Sequence, residues 1–141
     1  MLKKDKVEKI LDKGKIIAII LREDFKEYGV HFFTPKDFSQ QLGYIHHKSG
    51  EIIEAHMHNE VKRNVILTQE VLFIKRGKIR VDFYREDKTY LNSKELGEGD
   101  TILLSSGGHG FKVLEDVEMI EVKQGPYLGD ADKTRFLSVR S

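Results

Sequence analysis

The chain has no cysteine and no tryptophan, only two prolines, and almost no excess of charge: 24 Lys and Arg stand against 23 Asp and Glu over 141 residues. Each scarcity excludes something. Without cysteine there is no disulfide and no thiolate ligand, which leaves histidine and carboxylate as metal donors and fits a reducing compartment. A net charge of +1 offers no basic stripe to nucleic acid or to an anionic membrane. The longest aliphatic run, Ile16 to Leu21, is about a third of the ~20 residues needed to cross a bilayer. The N-terminus, MLKKDKVEKILDKG, lacks the apolar stretch and small-residue cleavage site of a secretory signal. The expectation is a cytoplasmic protein whose partner is a small molecule rather than nucleic acid or membrane. No composition break or Pro/Gly/Ser-rich linker divides residues 1–141, so a single domain is expected.

What is present is a strand rhythm. Val7, Ile10 and Leu11 lie at spacings of three and four with charges between them, which predicts a short amphipathic helix over residues 3–13, ended by Gly14. After it come short apolar or alternating runs: KIIAIIL, YGVHFF, LGYIHH, IIEAHMH, EVLFI, KIRVDFY, DTILLS, GFKVL and VEMIEV. Turn chemistry separates many of them, at Thr34–Asp37, Lys48–Gly50, Lys75–Lys78 and Gly97–Asp100. Nine strand candidates in one domain predict an all-β fold that manages its edges as a barrel or a double-sheet jelly roll. Residues 124–141 read as an extension, either a tail or a loop crossing the barrel, with Tyr127 a candidate to close over its mouth.

The pattern that carries chemistry is EIIEAHMHNE, residues 51–60. On a strand, side chains two apart share a face, so His56 and His58 can converge on one ion about 2.1 Å from each nitrogen while Met57 points away. Taken alone the pair also has an ordinary reading, one imidazole bonded in the core and the other at the surface. Gly50 precedes the pair by five spacers, and Glu70 precedes Gly77 by six. Gly99, DTILL, Gly107 and His109 follow in that order, with Ser105 and Val113 at two turn-shaping positions.

These matches resemble the two motifs of the cupin superfamily, the first over about residues 50–77 and the second over about 99–113. The gap between the halves of the first motif is eleven residues, longer than the family's three or four. The resemblance implies a double-stranded β-helix, the cupin jelly-roll barrel. It also implies one divalent transition metal (Fe, Mn, Ni, Co, Cu or Zn) held by His56, His58, Glu70 and His109, with coordination positions left open for substrate or water. Glu60 is a rival carboxylate, since 56, 58 and 60 share a face if the strand continues. Glu70 is preferred because it opens an apolar run and keeps its distance from Gly77.

Other residues have mainly structural readings. In His46–His47 adjacent side chains face opposite ways, so at most one, such as His47, reaches a pocket. His31 lies among aromatics. SSGGHG lacks a P-loop lysine and opens no helix, and is read as a flexible approach that lets His109 swing inward. Lys62 and Arg63 read as a solvated face. Arg80, Asp82 and Tyr84 lie opposite Ile79, Val81 and Phe83 and should be solvated or at an interface; were the faces reversed, Arg80 and Tyr84 would contact substrate.

Two functions follow. One is a metal-dependent enzyme acting on a small polar metabolite or sugar derivative, of isomerase, epimerase or dioxygenase type, in which no single residue stands out as the catalytic acid or base. The other is a non-catalytic module that binds a small ligand or sugar in the same pocket. Jelly-roll epimerases that work by His, Tyr and Asp without metal are a third comparison. Val71, Phe73 and Met57, on the face opposite the ligands, need a cover, and a homodimer is expected.

Overall fold

A computed structural model describes residues 6–139. The chain forms two compact units, one from the N-terminal residues up to Phe25 together with Leu67 onward, the other from Lys26 to Ile66. Among the described residues there are eight strands: β1 (Val7–Asp12), β2 (Lys15–Leu21), β3 (Gly29–Phe32), β4 (Gly43–His46), β5 (Glu70–Tyr84), β6 (Tyr90–Gly97), β7 (Thr101–Leu104) and β8 (Gly108–Lys123). One 3₁₀ turn, Gly129–Asp132, follows them. The fold is all-β, and no helix among the described residues is long and apolar enough to cross a membrane.

In the larger unit the sheet order is β1-β2-β7-β5-β6, with β8 also paired to β5, and every neighbouring pair is antiparallel. The sheet is strongly curled into a half-barrel, compatible with a jelly roll. Its core gathers Ile17, Ala18 and Ile20 from β2, Leu72 to Phe83 from β5, Leu96 from β6, and Ile102 and Leu104 from β7.

The predicted N-terminal helix is absent; residues 7–12 form β1, and residues 3–5 lie outside the described part of the chain. The strand periodicity wins because Glu8 and Ile10 share its inward face. Ile10 enters the core, and Glu8 pairs with Arg22 and, at 3.2 Å, with Lys94. Arg22 also reaches Asp100 at 3.1 Å, and Asp100 accepts the Glu23 and Gly97 amides at 2.9 Å each. A bulge between Ile10 and Leu11 shifts the register, and over so few residues a bulged period of two imitates a period of three to four.

The Lys75–Lys78 segment is not a turn. It lies inside β5, a strand of 15 residues, where Gly77 sits at φ 91° and the register against β8 shifts three times between Ile74 and Ile79. An extra residue in a strand reverses which side chains face inward. Leu72 and Ile74 precede the bulge at even positions, Ile79, Val81 and Phe83 follow it at odd ones, and all five belong to one core. GFKVL and VEMIEV likewise join as the single 16-residue β8. β6, polar except for Leu91 and Leu96, was not expected as a strand. It forms through a tight Arg85–Thr89 connection in which Lys88 sits at φ 75° and Asp87 accepts from both the amide and the hydroxyl of Thr89.

The C-terminal segment measures how far the sheet bends. Thr68, just before β5, donates to Asp132 at 2.6 Å, and Tyr84, at its far end, accepts the Val139 amide at 2.7 Å. A straight strand from 68 to 84 would span about 50 Å, whereas the seven residues from 132 to 139 reach at most about 25 Å. The tail therefore crosses a curled sheet. Phe136 meets Tyr84 edge to face at 5.0 Å and lies where a Cβ on Gly108 would be, 2.8 Å away. Tyr127 is exposed and stands beside Lys123.

The smaller unit carries the β3–β4 hairpin, with Val30 opposite Ile45 and His31 opposite Tyr44. The expected strand IIEAHMH does not form. Residues 51–66 belong to no strand, and the one backbone bond described within them is Glu51 N–H to the Lys48 carbonyl, which closes the turn at Gly50.

Gly77→Ala tests the bend. A Cβ there would lie 2.0 Å from the Asp116 carbonyl oxygen, on a backbone with φ 91°. The substitution should cost at least about 2 kcal/mol in urea unfolding. An unchanged midpoint would mean that β8 gives way at no cost.

Candidate functional site

The half-barrel brings Glu70 and His109 together. Glu70 opens β5 on the face of Leu72 and Ile74, beyond the reach of the apolar core, and His109 lies near the start of β8, opposite Phe83. In the ladder Glu70 faces Lys123, fourteen residues from His109 along β8, yet the curl leaves His109 Nε2 only 3.8 Å from Glu70 Oε1. His109 is not delivered by a loose loop. Ser105 and Ser106 donate to the Ile16 carbonyl at 2.8 and 2.9 Å, and Gly107, at φ 68°, runs so close to Tyr84 that a Cβ would sit 2.5 Å from its carbonyl oxygen. Serine at position 105 thus anchors the approach to β2.

Glu121 joins this pair. It stands opposite Leu72 on the neighbouring strand, on the face that Glu70 shares. Burial pushes the Glu70 carboxyl up, a hydrogen bond and the charge of Glu121 push it further, and Lys123 and Lys133 oppose them, with a net rise to about 7. Burial also moves His109 below the ordinary imidazole value; Glu121 opposes this and Lys133 adds to it. His109 is therefore a neutral ring, and the 3.8 Å contact is too long for a direct hydrogen bond. Phe111 packs at 5.5 Å from the His109 ring. Glu121 and Lys133 were missed because neither lies in a motif. Register and curl place Glu121, and the returning tail places Lys133.

His56 and His58 belong to the smaller unit, both exposed, with ring centroids 5.3 Å apart. His56 Nδ1 donates to the Glu54 carbonyl at 2.8 Å, which leaves Nε2 as the nitrogen with a free lone pair. Glu60 is exposed on the same segment. The four expected ligands thus form two pairs, one in each unit, and among the described residues no group of three or more His, Asp and Glu is placed to hold a metal. As donors they suit one. His109 is neutral, as a coordinating imidazole must be, and His56 offers a free nitrogen.

The remaining candidates have other partners. His47 bonds Glu51 at 2.9 Å, and Tyr28 donates to the same carboxylate. His46 packs against Tyr28 and Tyr44, its Nδ1 buried without a hydrogen bond. His31 Nε2 donates to the Tyr28 carbonyl. The Arg80 face is not solvated. Asp82 and Tyr84 are almost fully buried, because a bent sheet with a tail across it covers both sides of β5. Burial would raise the Asp82 carboxyl, but a two-point bond from Arg80, at 2.8 and 3.1 Å, and the Ser93 hydroxyl hold it below its ordinary value.

The raised Glu70 carboxyl has a stability consequence. Its value of about 7 against 4.5 means that the fold favours the protonated form. Stability is then full below the unfolded value and declines as pH rises through 7, by roughly 2–3 kcal/mol for a shift of this size. In metal-stripped protein, Glu70→Gln should remove that decline in thermal unfolding followed from pH 5 to 8. An equal decline in the variant would assign it to other groups.

No family model, curated protein or solved structure matches this chain.

Proposed function

We propose that the protein is a cupin with a double-stranded β-helix, and that it is an enzyme acting on a small polar metabolite or sugar derivative, by isomerase, epimerase or dioxygenase chemistry. The observation that supports this reading is the meeting of Glu70 and His109, residues from separate motifs, at 3.8 Å on one curled sheet. In this reading His56, His58, Glu70 and His109 hold one divalent transition metal, which when bound polarises an oxygen of the substrate or binds dioxygen.

The chain's own residues do the rest. His109 presents a neutral ring kept in place by Phe111 and by the anchored Ser105–Gly107 approach. Lys123 and Lys133, whose charges act on Glu70, offer cations to an anionic group of the metabolite. Glu121, which hydrogen-bonds the Glu70 carboxyl, stands beside it as a second carboxyl group.

That carboxyl pair also favours a second reading, a metal-free acid/base isomerase in which Glu70, Glu121 and His109 transfer the proton themselves.

Elemental analysis of protein purified without an affinity tag separates the readings. About one transition metal per chain is expected, lost in His58→Ala and in His109→Ala and kept in His46→Ala. A metal content below roughly a tenth, unchanged by reconstitution, overturns the metal reading. A metabolite panel run with and without oxygen then assigns the chemistry. Oxygen uptake marks a dioxygenase and anaerobic, mass-neutral conversion an isomerase; conversion by metal-stripped protein that Glu121→Gln abolishes marks the metal-free route. Tight binding without conversion marks a non-catalytic module.

A further inference from the structure

Two open features of this chain match each other. The first is the outer edge of β8. Among the described residues β8 pairs with β5 alone, so one side of a 16-residue strand leaves its backbone groups unpaired. Phe111, Val113, Leu114, Met119, Ile120 and Val122 are exposed along it. A long, apolar, unpaired edge is a template for another strand.

The second is the segment 51–66. Its odd positions from 53 to 65 carry Ile53, Ala55, Met57, Val61 and Val65, interrupted by Asn59 and Arg63, and its even positions from 54 to 64 carry Glu54, His56, His58, Glu60, Lys62 and Asn64. That is the alternation of a half-buried strand, yet the segment lies in no sheet and Met57 is 90% exposed. The amides beyond Glu51 have no described backbone partner. A segment with most of a strand's alternation and no sheet thus stands against a 16-residue strand edge without a described partner.

The other open edges fit less well, because β1 has 6 residues and β6 has 8.

We infer that this protein is a strand-exchanged homodimer, in which residues 51–66 of one copy add to the outer edge of β8 of a second copy, and the reverse. A two-fold arrangement satisfies both features of both copies at once. Main-chain pairing gives affinity, and the alternating apolar side chains cover the exposed β8 residues.

Light scattering combined with amide hydrogen exchange tests this, on the protein as purified and after chelation, so that failure of the metal reading leaves the test intact. The expected mass is twice the 16.3 kDa chain. Amides of 52–66 should exchange at least about a hundredfold more slowly in the dimer than in an unstructured peptide, and lose that protection together with the dimer on dilution. Met57→Asp combined with Val61→Asp, both exposed within one chain, should give a monomer with these amides unprotected and the β2 and β5 amides still protected. Three outcomes would overturn the inference: a wild-type monomer, a dimer with these amides unprotected, or protection that persists in the monomer.

Discussion

The structure turns on the bulge at Gly77. Among the described residues β5 is the one strand that pairs with three others, β7 and β8 in its first half and β6 and β8 in its second. For both halves to line one interior, the strand has to change which parity faces inward and bend as it does so. Gly77 does both. Its φ of 91° is costly for any residue with a Cβ, and its missing side chain lets the Asp116 backbone pass where a Cβ would stand. Without that reversal Glu70, Leu72 and Ile74 would face away from the core that Ile79, Val81 and Phe83 enter.

The consequences run outward from that bend. Glu70 opens the strand and His109 lies across from Phe83, near its other end, and only the curl brings them within 3.8 Å. Glu121 and Lys133 arrive by the same route, one by ladder register and the other on a tail that crosses from Thr68 to Tyr84. Burial in that concavity makes the Glu70 carboxyl hold its proton and the His109 ring remain neutral. A shallower sheet would expose both groups to water and return each toward ordinary behaviour.

Local pattern was a good guide where neighbours along the chain decide the outcome. The aliphatic run of β2, the alternation of β3 and β4 and the Gly97–Asp100 turn are each legible in a few residues. It misled where a strand interrupts its own period. The bulge in β1 imitates a helix, Gly77 imitates a turn, and β6 hides because its partners supply the apolar contacts that its own sequence lacks. IIEAHMH shows the opposite failure, a strand pattern that joins no sheet.

The amino-acid sequence by itself determined the all-β character, the absence of thiolate ligands and the identity of the donors available to a site, because these follow from composition and from periodicity along the chain. It also marked Glu70 and His109 singly. Only the tertiary structure decided that these two meet, that burial sets their protonation with Glu121 and Lys133 modifying it, and that the Arg80–Tyr84 face is covered instead of wet. Those outcomes depend on how far a sheet curls and where a tail returns. Both are set by close approaches between residues distant in sequence, and no local pattern encodes them.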